Sequence, residues 1–171
     1  MASPQITVTI NQGHLDRRLG RLAEAASPQQ VLPVIGRKMT TLIQLGFRGS
    51  VSPWGQPWQP LNPRATRRGQ PLRDTGQLMR SIGWQITGDK VAIGTNVQHA
   101  RVHQFGATIT PVNAKLLRWI GAGGTPIFAK QVVIPARPFM PMTASGVSFP
   151  APWRQQTLEA IRQAILRRGG T

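Results

Sequence analysis

The sequence contains no cysteine and no tyrosine, and only 5 of its 171 residues are acidic. Without cysteine the chain can form no disulfide, thiolate metal site or thiol redox centre. Asp16, Glu24, Asp74, Asp89 and Glu159 are spread so widely that no two are neighbours in sequence. A general acid–base pair or a carboxylate-rich cation site would therefore have to be assembled from distant positions. Long apolar runs are missing too, and nothing approaches the roughly 20 apolar residues that a membrane-spanning helix needs. Met1 to Asn11 has neither the basic start nor the apolar stretch of a secretory leader, so synthesis and use in the cytoplasm are expected, without a membrane partner.

What is abundant is positive charge. Lys and Arg together number 21, giving a formal net charge of +16. Most of it is arginine, because the only lysines are Lys38, Lys90, Lys115 and Lys130. The charge is spread evenly: residues 1–63, 64–80, 81–130 and 131–171 each carry a net of about +4. It is densest over 64–80, where Arg64, Arg67, Arg68, Arg73 and Arg80 face Asp74 alone. Copies of such a chain repel one another and adhere to polyanions, so an acidic protein surface or nucleic acid is the expected partner. There is no basic tail and no helix with arginines along one face. The distribution suits a surface inside an assembly better than a sequence-specific DNA reader.

Length and a hydrophobic fraction of 40% fit one domain over residues 1–171 with a real core. Gly (18) and Pro (15) are frequent enough to demand long loops, expected at about 50–71, 111–126 and 143–152. Ile6, Val8 and Ile10 alternate with threonines as in a half-buried strand, which Asn11-Gln12-Gly13 ends. Leu15, Leu19, Leu22 and Ala26 recur at helical spacing, and Ser27-Pro28 separates this helix from a second over about Gln29–Phe47. Val31, Ile35, Met39, Leu42, Ile43 and Phe47 form its apolar face; Pro33 falls early enough to be accommodated, and Gly49 is the expected stop. Beyond the first loop, Leu72–Ile82 reads as a short helix capped by Asp74 or Thr75. Gly83–Thr87 and Lys90–Gly94 read as a hairpin about Gly88-Asp89. Val97–Phe105 reads as a helix closed by Gly106, followed by strands at Ala107–Thr110 and Ile127–Ile134. A last helix, Trp153–Arg168, turns Leu158, Ile161 and Ile165 inward. The sum is an α+β fold: paired N-terminal helices, a small antiparallel sheet, a C-terminal helix and long Pro/Gly-rich loops.

Three features invite a chemical reading. His99 and His103 would share one helical face, the spacing of a zinc pair, but no glutamate lies between them and Arg101 adds positive charge. Packing of a His–Val–Phe helix on the sheet explains the pair as well. Gly121-Ala122-Gly123-Gly124-Thr125 has the glycines of a phosphate loop without its Gly-Lys-Ser/Thr ending, and reads as a turn. Trp54 and Trp58, followed by Arg64, Arg67 and Arg68, could stack on bases and bind phosphates. The favoured reading is that they anchor a contact with the core or a neighbouring subunit, where Trp and Arg are common. None of these requires catalysis, and no metal or cofactor is expected.

Three ordered strings carry a likeness to known proteins. The first is Gly55-Gln56-Pro57-Trp58-Gln59-Pro60-Leu61, followed by Leu72-Arg73-Asp74-Thr75-Gly76-Gln77-Leu78-Met79-Arg80-Ser81-Ile82. The second runs from Ile93-Gly94-Thr95-Asn96-Val97-Gln98 through His99-Ala100-Arg101-Val102-His103-Gln104-Phe105-Gly106. The third is Ile134-Pro135-Ala136-Arg137-Pro138-Phe139. Together, across about 30–165, they resemble the phage virion morphogenesis family, the tail completion proteins of Mu-like and P2-like phages. The resemblance implies a non-enzymatic virion protein at the neck, acting in tail completion and head–tail joining. It also implies an oligomeric ring, with a hexamer expected. Its neighbours would be the connector or stopper, the tail terminator and the tail tube, with genomic DNA in the lumen. On that reading Trp54 and Trp58 are the expected apolar anchors, and Arg64, Arg67, Arg68, Arg73 and Arg137 the charged contacts. A non-specific DNA-binding protein is the alternative from another class.

Overall fold

The strongest helical periodicity of the sequence becomes the spine of the molecule. In a computed structural model that describes residues 12–62 and 69–169, helix α2 runs from Pro28 to Gly49. The expected strand at Ile6–Ile10 lies outside the described residues. Ser27 is extended (φ −61°, ψ 151°) and Pro28 occupies the first turn, where its missing N–H is harmless. The helix passes through Pro33 unbroken. Leu32, Gly36, Met39, Leu42, Ile43 and Phe47 form its buried stripe, and Ile43 and Phe47 are fully enclosed. Its end differs from expectation: Gly49 is still helical, and the left-handed cap is Ser50 (φ 53°, ψ 43°), whose N–H reaches the carbonyls of Gly46 and Phe47.

Both predicted flanking helices are present, as α1 (Gln12–Ala25) and α5 (Ala151–Gly169). The first starts at Gln12, in the stretch expected to be a turn. Its chief neighbour is α5 rather than α2, and α5 also lies along α2. Gly169 permits the close crossing, because a Cβ there would sit 3.0 Å from Leu22 Cγ. Expectation fails at Leu158, which is exposed, while Trp153 and Thr157 are buried. The inward stripe is Trp153–Thr157–Ile161–Ile165, and Leu158 lies about 100° round from Thr157. Thr157 tolerates burial because its hydroxyl donates to the Trp153 carbonyl at 2.8 Å. No helix among the described residues is long and apolar enough to cross a membrane.

The β structure is not one small sheet but, among the described residues, four separate antiparallel ribbons of two strands. Strands β1 (Gly83–Thr87) and β2 (Lys90–Gly94) form the expected hairpin, with Thr87 opposite Lys90 across the Gly88-Asp89 turn. Gly88 has φ 60°, as a tight two-residue hairpin requires. The ribbon packs on α2, with the Trp84 ring over Gly36. The helix expected over Leu72–Ile82 shrinks to one turn, α3 (Gln77–Arg80). Leu72 (φ 58°) and Gly76 (φ 76°) take left-handed backbone conformations that interrupt a helix. Thr75 still serves its start, accepting the Gln77 N–H at 3.2 Å. Helix α4 covers Ala100–Phe105 and ends at Gly106 (φ 75°), where a Cβ would meet Ala136 N and Ile134 O at 3.0 Å.

Strand β3 (Ala107–Ile109) pairs with β6 (Val132–Ile134), and between them β4 (Leu117–Ile120) pairs with β5 (Pro126–Ala129). The four make one nested hairpin arm with a glycine-rich tip. The segment 111–126, expected to be irregular, thus contributes strand β4, and the strand expected over 127–134 breaks at Lys130-Gln131. A final short ribbon, β7 (Met142–Thr143) with β8 (Gly146–Val147), interrupts the proline-rich link to α5.

The core closes around Phe47. Trp58 meets it edge-on with ring centroids 5.4 Å apart, and Phe139 packs against it at 5.3 Å. Met39, Leu72, Leu78, Ile82, Ala100 and Trp153 complete the cluster.

Candidate functional site

Two of the side chains expected to reach outward are turned inward. Trp58 is buried and donates its indole N–H to the Pro138 carbonyl at 2.8 Å. Arg137 is only 6% exposed. Its Nε donates to the Gln59 carbonyl at 2.8 Å and its Nη2 to the Pro60 carbonyl at 3.0 Å. A guanidinium carries five donors in a rigid fork, so bonds to carbonyls can satisfy much of it when buried. These bonds hold the 50–62 loop against the proline-bracketed segment 135–140. On the other side, the Arg137 N–H donates to the His103 carbonyl at 2.7 Å, fixing the end of α4. Within this single chain, Trp58 and Arg137 are structural clamps.

Gln104, which sequence reasoning passed over, completes the clamp. It is buried, and its carboxamide accepts from the Phe139 and Met140 amides while donating to the Met140 and Met142 carbonyls. A glutamine two residues before a helix-ending glycine carries no distinctive signal, because the partners lie some 35 positions away.

The remaining expected contacts divide. Arg64, Arg67 and Arg68 lie outside the described residues. Arg73 is exposed and bonds the side chain of Gln70. Trp54 is exposed on the rim of an apolar groove of about 470 Å3 formed with Leu42, Leu45, Pro150 and Trp153. The arm adds a second apolar surface. Arg118 faces Phe128 and Ile120 faces Pro126, so these four share one side of the ribbon. Phe128 (57%) and Ile120 (51%) are exposed there, and Val133 (65%) is exposed nearer the base. The Gly121–Thr125 turn is the tip of the arm; strand β5 follows it, where a phosphate loop would open a helix.

The histidine pair does come together, with ring centroids 5.5 Å apart and edge-to-face. His99 and His103 line a cavity of about 250 Å3 with Asp74. Among the described residues, however, no three His, Cys, Asp or Glu side chains are placed to hold a metal ion.

Residues 10–165 match the phage virion morphogenesis family. The chain belongs to that family. It is also 30% identical, over 140 residues, to Mu-like prophage FluMu G protein 2 of Haemophilus influenzae, a match that covers 81% of this chain and 85% of that protein. No solved structure matches the chain. As a member of the virion morphogenesis family, the protein takes part in building a bacteriophage virion. The strings on which the family resemblance rests converge in space: Trp58, Leu72, Leu78, Ile82, Ala100, Gln104, Arg137 and Phe139 meet at the core and its clamp. The family signature of this chain is thus largely a packing signature.

Proposed function

We propose that the protein is a non-enzymatic component of the phage neck, acting in tail completion and head–tail joining as a ring of its own copies, a hexamer. The observation that carries this reading is the arm over 107–134. It exposes Ile120, Phe128 and Val133, and its two base strands, β3 and β6, pair with each other. Large apolar side chains displayed on a ribbon are a surface awaiting a partner. The arm carries Lys115, Arg118 and Lys130 and no acid. The surface it meets is therefore acidic around an apolar centre, as a connector, stopper, tail terminator or tail-tube subunit would have to offer. The groove under Trp54, beside the 50–62 loop, supplies a second anchor. Membership of a virion morphogenesis family supports a structural role over a catalytic one.

Electron microscopy of lysates from a phage with an early stop codon in this gene tests the proposal. Filled heads accumulating beside free tails, corrected by the intact gene supplied in trans, is the expected result. Tails of abnormal length would move the role from joining to tail assembly. Normal infectious virions would refute a structural role.

A further inference from the structure

A third surface lies between α2 and α5. A groove of about 420 Å3 runs there, and its charged lining is entirely cationic: Arg37 and Lys38 from α2, Arg167 and Arg168 from α5. Arg168 also lines an adjoining cleft with Arg21, where Glu24 is the one acid. None of the four groove cations makes an ion pair with a described residue; the Glu159 carboxylate pairs with Arg162 instead.

Part of this has a bland explanation. Arg167 and Arg168 sit in the last turn of α5, where positive charge complements the helix dipole. That does not account for Arg37 and Lys38, which sit near the middle of α2. Two helical rods thus bring four like charges into the lining of one groove, and their fields add over it.

The rest of the lining decides which anion. Val34, Thr41, Ala160 and Ala164 are short, and the groove contains no aromatic side chain. A protein interface would be expected to present an apolar or aromatic anchor at its centre, as the arm and the Trp54 rim do. This groove offers charge and little else, which is the character of phosphate-backbone contact. We propose that the α2–α5 groove binds the phosphate backbone of duplex DNA, without reading sequence. Its location in the virion is a separate question: the groove can bind DNA wherever the protein is mounted, and the phage test above does not prejudge it.

The test uses the purified full chain and fluorescently labelled duplexes of about 20 base pairs, in two unrelated sequences, across roughly 50–300 mM NaCl. Both duplexes should bind equally, with log K falling linearly against log salt. The variant Arg37→Ala/Lys38→Ala/Arg167→Ala/Arg168→Ala should flatten that slope by about 3 to 4 and weaken binding at least about 100-fold near 100 mM salt. A control, Arg48→Ala/Lys90→Ala/Arg101→Ala/Arg154→Ala, removes the same charge from exposed positions outside the groove and should lose less than about threefold. Should the fourfold variant not fold by circular dichroism, Arg167→Ala/Arg168→Ala alone should flatten the slope by about 2. Equal losses in groove and control variants would overturn the site in favour of diffuse attraction. No duplex binding near 100 mM salt would overturn it as well. Binding of a labelled polyglutamate peptide that the groove variant abolishes, with duplex binding unchanged, would instead assign the groove to an acidic protein.

Discussion

Gln104 holds Met140 from both sides, its Nε2 donating to the Met140 carbonyl at 3.1 Å and its Oε1 accepting the Met140 amide at 3.0 Å. The same carboxamide takes the Phe139 amide and gives to the Met142 carbonyl. One side chain therefore satisfies four backbone groups of a segment whose prolines prevent it from pairing regularly. Gln104→Leu would keep the bulk and strand those groups. It should lower unfolding stability by about 2–4 kcal/mol, read from urea denaturation. A loss below about 0.5 kcal/mol would mean that the segment finds other partners.

Arg137 gives a related expectation with a different discriminator. Arg137→Lys keeps the charge but not the fork that reaches both Gln59 and Pro60 carbonyls. It should destabilise by about 1–3 kcal/mol. It should also raise proteolytic cleavage within the 50–62 loop well above that in α2. Unchanged cleavage would show that the loop does not depend on this clamp.

Gly36 lies beneath the Trp84 ring, where an added Cβ would come 2.7 Å from Trp84 Cε3. Alanine is the better helix former, so propensity alone predicts a gain of about 1 kcal/mol at this position. The contact predicts the opposite. Gly36→Ala should push the β1–β2 ribbon off α2 and cost about 1–3 kcal/mol, visible as a lower melting temperature. Stabilisation would mean the ribbon moves aside freely.

Ser50 offers the reverse case. It holds the left-handed conformation that glycine adopts without penalty, and its hydroxyl is buried without a described hydrogen-bond partner. Ser50→Gly should stabilise by about 1 kcal/mol, raising the melting temperature by roughly 2–4 °C for a chain of this size. No gain would indicate that the hydroxyl contributes in a way the backbone angle does not reveal.

Variants on the arm distinguish the proposed assembly surface from a folding role. Ile120→Ser with Phe128→Ser changes two exposed side chains, so the isolated protein should keep its stability within about 0.5 kcal/mol per change. Complementation of the stop-codon phage by this variant should fall at least about tenfold in infectious yield. Full complementation would remove the arm from the assembly surface.

Local physics made much of this legible in the sequence. The β1–β2 hairpin and its turn were readable because alternation and Gly88-Asp89 agree over adjacent residues. Helix α2 was readable because its stripe is long and its start is marked by Ser27-Pro28. The failures have two origins, local backbone and side-chain choices that run against residue preference, and contacts between distant positions. Leu72 adopts φ 58°, against its own preference, so the helix expected from it never starts there. Leu158 is apolar yet exposed, while Thr157 is buried with its hydroxyl bonded to its own helix. Arg137 and Trp58 looked like surface anchors because Arg and Trp are frequent at interfaces. Only the carbonyls of Gln59, Pro60 and Pro138 reveal that both are used within the chain.

The nesting of the arm has an outcome for how such proteins diversify. Ala107 and Ile134 are paired where the two strands leave the body, and everything between them departs from and returns to that one doorway. Seven residues on one strand, 110–116, span the gap that 130–131 spans on the other, so the outer ribbon is already out of step with its base. Lengthening, shortening or rewriting the outer portion leaves the Phe47 core and the Gln104 and Arg137 clamps untouched. The length and sequence of this appendage are thus free to change while the body keeps its own packing.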